Sequence, residues 1–297
     1  NPLVIGFLGK DWQRKGGYLA YEIVKNLNSV GVSSVLRIIG TNKKEIPNSQ
    51  FIEYVGFIDK TKDYALDKSN GLWNDVEIED IDHDGDFDII AANFGENNFY
   101  KANMKMFVND FDLNGFKEQI ICYEIGGKNY PILDKDELIA QLPAIKKKIV
   151  YYKDYSNFSI DQIFEKETIE SSTVLNLNTL QSSVFINRDG KFKRTSLPPE
   201  INYSTMYDIE IVEKNNRGLK IAMGGNQYNI KPQFGRQDAS KGYFLNIDIS
   251  NDSISYSNLE SLNIDGQIRK FNFFNSKDIK AVAVGINNEK TKFFEYK

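Results

Sequence analysis

The chain has 297 residues, with 37 basic and 41 acidic side chains for a formal charge of -4, and is 41% hydrophobic and 13% aromatic. That apolar content excludes a disordered chain, and no run reaches the ~18 to 20 apolar residues that a bilayer span needs, so no membrane span is expected. One histidine, His83, and one cysteine, Cys122, exclude an internal disulfide and zinc sites of the usual Cys/His type, and any Ser-His-Asp or Cys-His arrangement would have to use these two residues.

Asn1 and Pro2 lead directly into the apolar run 3–8 with no basic n-region and no small-residue cleavage site. The expectation is a removed targeting peptide or a fragment. Periodicity then gives a strand over 3–8, a helix over about 17–29 and strands over 34–39 and 51–57, an α/β start. From about Gly71 the texture changes to short aromatic and β-branched strands separated by Asp, Asn and Gly, as in 87–94, 104–111 and 183–187. The charge changes with it, from +3 over residues 1–60 to -7 over the remainder. Residues 1–60 and 71–297 are therefore expected as separate domains joined through 61–70. A helical island interrupts the second at about 134–168, where Leu138, Ile139, Leu142, Ile145 and Ile149 recur at helical spacing behind Asp134 and Asp136 as candidate N-caps. Lys146, Lys147 and Lys148 sit late in that helix, where cations complement its dipole.

Asp80-Ile-Asp82-His-Asp84-Gly85-Asp86-Phe87-Asp88 places oxygen side chains at loop positions 1, 3, 5 and 9, with glycine at 6. So many carboxylates in one turn repel one another unless a cation joins them. Calcium takes six to eight oxygens, and a glycine at position 6 lets the chain turn back around it. Position 12 is Ala91 rather than glutamate and the flanks read as strand, which excludes an EF-hand. Thirty residues on, Asp110-Phe-Asp112-Leu-Asn114-Gly115-Phe116-Lys-Glu118 repeats the spacing. The expected calcium ligands are Asp80, Asp82, Asp84, the Asp86 backbone and Asp88 in the first loop, and Asp110, Asp112, Asn114, the Phe116 backbone and Glu118 in the second. Four carboxylates against three predict tighter binding at the first. His83, at an even position, is read as facing solvent.

These loops and their flanks, 73–78 and 87–95, resemble the FG-GAP or VCBS repeats of β-propellers, in which a D-x-D-x-D-G-x-x-D calcium loop joins two strands of a blade. Residues 183–192 are similar to the blade hairpin of that family, with Asp189-Gly190 in the turn. Two further blades look degenerate: 208–226 keeps the ending Gly224-Gly225-Asn226 but has Glu213-Lys-Asn-Asn-Arg-Gly218 in place of the carboxylates, and 278–288 keeps a strand-Gly-Asn ending. The resemblance implies a mainly β fold, a partial β-propeller with a helical insertion, like the integrin α N-terminal region. It also implies a calcium-binding module for a protein or glycan ligand at an extracellular or cell-envelope location.

Residues 7–17, Phe7-Leu-Gly-Lys10-Asp-Trp-Gln-Arg-Lys15-Gly-Gly17, resemble the donor-binding half of two-domain retaining glycosyltransferases, a small Rossmann-like α/β fragment. That resemblance implies Lys10 and Lys15 as ligands of a nucleotide-sugar diphosphate, with a cytoplasmic location. Cations beside a helix N-terminus make an anion site. Glu45 and Glu53 form an E-x7-E pair, but before the third strand rather than after later ones, and are read as coincidence. Sixty residues cannot complete that active site. The leading expectation is a non-catalytic calcium-binding module with no nucleic-acid partner; the alternative is an incomplete glycosyltransferase.

Overall fold

β1 (Leu3–Leu8), β2 (Ser34–Ile39) and β3 (Ile52–Gly56) pair in parallel in that order. Parallel neighbours need a crossover, and α1 (Gly17–Ser29) supplies it between β1 and β2. The computed structural model describes residues 2–8, 11–56, 63–250, 253–275 and 280–296. Phe57, expected in the third strand, lies outside them, as does Asp278. Phe7, Trp12, Val24, Leu36 and Ile38 form the small core of this unit, which spans Asn1–Asp63. Gly17 is obligatory there, because a Cβ on it would stand 2.2 Å from the Trp12 ring.

The second unit, Tyr64–Lys297, is mainly β. It opens with β4 (Asp75–Glu79) and β5 (Asp88–Ala92), antiparallel across the first carboxylate loop. β6 (Lys105–Asn109) and β7 (Glu118–Ile125) then pair across the second loop, and β8 (Lys128–Pro131) follows. After the helical segment, β9 (Thr173–Asn176) closes this sheet in the order β8-β7-β6-β9. Only then do β10 (Ser183–Arg188) and β11 (Lys191–Ser196) complete the first sheet as β4-β5-β10-β11. The sheet carrying the second loop is thus nested inside the first. The β10–β11 turn has Asp189 and Gly190 at φ 53° and 82°, the left-handed pair that a two-residue hairpin demands.

β12 (Met206–Asn215), β13 (Gly218–Gly225), β14 (Tyr243–Ser250) and β15 (Ser253–Ser261) form a four-stranded meander. β16 (Ile268–Asn275), β17 (Lys280–Ile286) and β18 (Lys292–Glu295) form a three-stranded one. The first strands of these sheets are neighbours, β12 packing beside β4 and β16 beside β12. Ile90, Val184, Ile209, Ile221 and Leu245 belong to one core cluster, drawn from the first two of these sheets. Ala222, Phe244, Phe271, Val282 and Val284 belong to another, drawn from the last two. A third core joins Phe107, Ile120 and Cys122 of the nested sheet to Leu138, Leu142, Ile149 and Ile163 of the helical segment.

The helical segment corrects the expectation of one sustained helix. α2 (Lys135–Gln141) starts on a capping box, the Asp134 carboxylate accepting the Glu137 N–H at 2.9 Å while Glu137 accepts that of Asp134 at 3.3 Å. It stops at Leu142, which Pro143 forces out of the α region. A 3-10 turn over Pro143–Lys147 follows, then α3 (Tyr152–Tyr155), α4 (Ile160–Ile163) and α5 (Lys166–Glu170). Lys146 and Lys147 lie in the 3-10 turn rather than in the last turn of an α-helix. No helix among the described residues is long and apolar enough to cross a membrane.

Candidate metal centre

Each carboxylate loop is a tight turn between paired strands, and the same backbone path recurs in both. Position 4 is left-handed, His83 at φ 61° and Leu113 at φ 60°, and the position 6 glycines, Gly85 and Gly115, stand at 98° and 91°. The position 1 carboxylate accepts the glycine N–H, Asp80 from Gly85 at 3.2 Å and Asp110 from Gly115 at 2.8 Å. Position 3 accepts from position 5, Asp82 from Asp84 and Asp112 from Asn114, both at 3.3 Å. Position 5 accepts from position 7, Asp84 from Asp86 at 2.9 Å and Asn114 from Phe116 at 2.8 Å. Position 9 accepts from position 2, Asp88 from Ile81 and Glu118 from Phe111, both at 2.9 Å. These bonds hold the side-chain oxygens inward before any ligand arrives.

The oxygens converge. In each loop one ligand atom from position 1, 3 and 9 lies within 4.8 Å of the others, Asp80 with Asp82 and Asp88, and Asp110 with Asp112 and Glu118. Asp84 stands outside its trio, its other oxygen 2.9 Å from the Arg188 guanidinium. Oδ1 of Asp80 is buried and has no hydrogen-bond donor. A buried carboxylate oxygen with no partner is costly, and a divalent cation is the partner that this donor set fits.

Asp88 is fully buried, and its other oxygen accepts the Asn187 N–H of β10 at 2.8 Å. Burial pushes its carboxyl above the usual carboxylate range, with Asp82 and Asp84 adding to the rise and the two backbone N–H groups opposing it. A cation in the loop would reverse this.

Arg188 is the residue that sequence reasoning missed. From the end of β10 it pairs with both Asp82 and Asp84, and so offsets part of the first loop's extra charge. Nothing in the loop sequence announces it, because it lies 106 residues from Asp82. His83 is exposed, as expected of its even position, with Nε2 3.2 Å from the Asn215 carbonyl in the β12–β13 turn. That turn is the one whose carboxylates are replaced.

In the first unit, Lys15 is exposed on the turn before α1, whose N-cap Gly16 offers no side-chain cap. Lys10 lies outside the described residues. Glu53 of the E-x7-E pair is bound to Arg37 at 3.0 Å. No protein-family model, curated protein or solved structure matches the chain.

Proposed function

We propose that the chain is a non-catalytic, calcium-stabilised module of β-propeller type that displays loops for a protein or glycan ligand at an extracellular or cell-envelope surface. The observation that carries the calcium reading is the unpartnered, buried Asp80 Oδ1 among converging carboxylates, in a loop whose other hydrogen bonds recur around Asp110, where the matching oxygen accepts the Asn114 N–H at 3.0 Å. In each loop the ion would take Asp80, Asp82, Asp84 and Asp88, or Asp110, Asp112, Asn114 and Glu118, with the position 7 carbonyl of Asp86 or Phe116. Three sheets whose first strands β4, β12 and β16 lie side by side support the blade reading. Calcium at the turns would tie strand pairs together and leave the remaining loops free to bind.

Thermal unfolding with calcium and with a chelator tests this. Calcium should raise the melting temperature by several degrees, since a ligand that binds only the folded state stabilises it by mass action. Coincident transitions would reduce both loops to turns. Calorimetric titration of Asp84→Ala and Asp112→Ala, each leaving one loop intact, should each lose one site.

The uncapped N-terminus of α1 behind Lys15 favours a second reading, an incomplete glycosyltransferase donor domain in the cytoplasm. Titration with nucleotide sugars should give no tight binding; a low-micromolar dissociation constant lost in Lys15→Ala would put this reading first.

A further inference from the structure

We propose that a cleft of about 660 Å³ on the nested sheet and helical segment binds a neutral oligosaccharide. The inference gives a place and a ligand class to the glycan-binding part of the function proposed above, and rests on it. The cleft has the size of a small-molecule site. Six aromatic side chains line it, Phe99, Tyr123, Tyr130, Tyr152, Tyr155 and Phe158.

Two of them form one wall. Tyr123 of β7 and Tyr130 of β8 are direct cross-strand partners, their rings 5.9 Å apart and inclined by 23°. Both are half-buried, and among the described residues neither phenol hydroxyl has a hydrogen-bond partner. Elsewhere in the lining, Tyr155 donates to the Leu133 carbonyl at 2.7 Å and Tyr152 to Asp136 at 2.5 Å, so these rings are held in place before a ligand arrives. The exposed carboxamide of Gln233, on the 232–234 turn, is unpaired among the described residues.

Charge selects the class of ligand. Lys135 pairs with Asp136 at 2.8 Å, Lys231 pairs with Glu137, and Asp134 caps α2. A charged ligand would compete with these contacts for Lys135 and Asp134, the two charged residues of the lining. A quaternary ammonium would meet the Lys135 ammonium, which already lies over the Tyr152 ring at 4.7 Å. Beside these partnered charges the cleft offers a ligand aromatic face, two phenol hydroxyls and a carboxamide. A pyranose matches this set, with an apolar C–H face to lie on a ring and hydroxyls at its edge.

Titration of the full chain with maltotriose, cellotriose, laminaritriose and chitotriose, followed by saturation-transfer NMR and calorimetry, tests the inference. At least one should bind with a dissociation constant on the order of 0.1–1 mM. Tyr130→Ala should weaken it at least tenfold, and Tyr130→Phe, which keeps the ring and the fold, two- to fivefold. Binding by none of the four, unchanged binding in both variants, or binding of tetramethylammonium in their place would overturn it. Melting curves of the same samples with and without chelator separate the outcomes. A calcium-dependent shift without saccharide binding removes the cleft assignment alone, and saccharide binding without the shift removes the calcium reading alone.

Discussion

The buried carboxylate of Asp208 on β12 accepts the Phe271 N–H of β16 at 2.7 Å, joining the first strands of two successive sheets. Asp75, at the matching place on β4, does the same for the Ile209 N–H of β12 at 2.9 Å. The third sheet has Lys270 at that position, and it turns back to pair with Asp208 at 2.8 Å and with Glu210. Each joint uses a carboxylate oxygen to satisfy a strand N–H that the meander itself leaves open.

Burial pushes the Asp208 carboxyl up from the usual 3.8 to about 6, against the opposing pull of Lys270 and the Phe271 N–H. Between those two pH values the folded protein holds a proton that the unfolded chain has released. The stability contributed is therefore fully present below about pH 4 and lost as pH rises through 6, on the order of 2–3 kcal/mol. Urea unfolding in calcium-free buffer from pH 4 to 7 should show the loss. Asp208→Asn, which keeps an acceptor for Phe271, should flatten part of it, leaving a slope of the same sign from Asp88, raised by its burial, and from Glu77, whose carboxyl is raised by its own burial and by Glu210.

Asn226, just past β13, is a second kind of joint. Its side chain donates to the Ser240 and Gly266 carbonyls at 2.7 and 2.8 Å and accepts from the Ser204 hydroxyl and the Ser240 N–H at 2.8 and 2.9 Å. Its φ of 93° is one that few residues other than Gly, Asn and Asp tolerate. Asn226→Ala would strand four buried groups and should cost about 3–5 kcal/mol by chemical denaturation. Asn93, just past β5, holds the matching place, and Asn93→Ala should be destabilising in the same way.

Much of this was written locally. The carboxylate loops, the Asp189-Gly190 hairpin and the α/β start depend on residues a few positions apart, and spacing alone places them. The joints left a fainter trace: Asp75-Val76-Glu77-Ile78 and Asp208-Ile209-Glu210-Ile211 share one pattern, and Asn93 and Asn226 each close a strand. The nesting could not be read, because β5 meets β10 across a whole intervening sheet, and one sequence carries no pairing information at that distance. The helical segment misled for a different reason. Its apolar spacing runs straight through Pro143, so the face persists where the helix does not.

Gly17→Ala should disturb the first unit selectively. The added methyl would have to displace the fully buried Trp12 ring or shift the start of α1. With only one other tryptophan in the chain, Trp73, the emission maximum should move to longer wavelength while the unfolding transition of the second unit stays in place. An unchanged spectrum would mean that the turn can yield without exposing the indole.

The first loop carries four side-chain carboxylates against three, yet Arg188 contributes a positive charge to two of them, Asp82 and Asp84. Charge count then no longer separates the sites, and in the unmodified protein they should titrate with similar affinity. The guanidinium is partly exposed, so water screens it and its effect on an ion in the loop amounts to roughly 1–2 kcal/mol. Arg188→Gln keeps a polar side chain at the end of β10 and removes the charge. Calcium affinity at the first loop should rise about tenfold while the second is unchanged, read by calorimetry in an Asp112→Ala background that leaves the first loop alone to bind. A weaker first site in that variant would mean that Arg188 is needed to hold the carboxylates in their inward arrangement, and that its positioning role outweighs its charge.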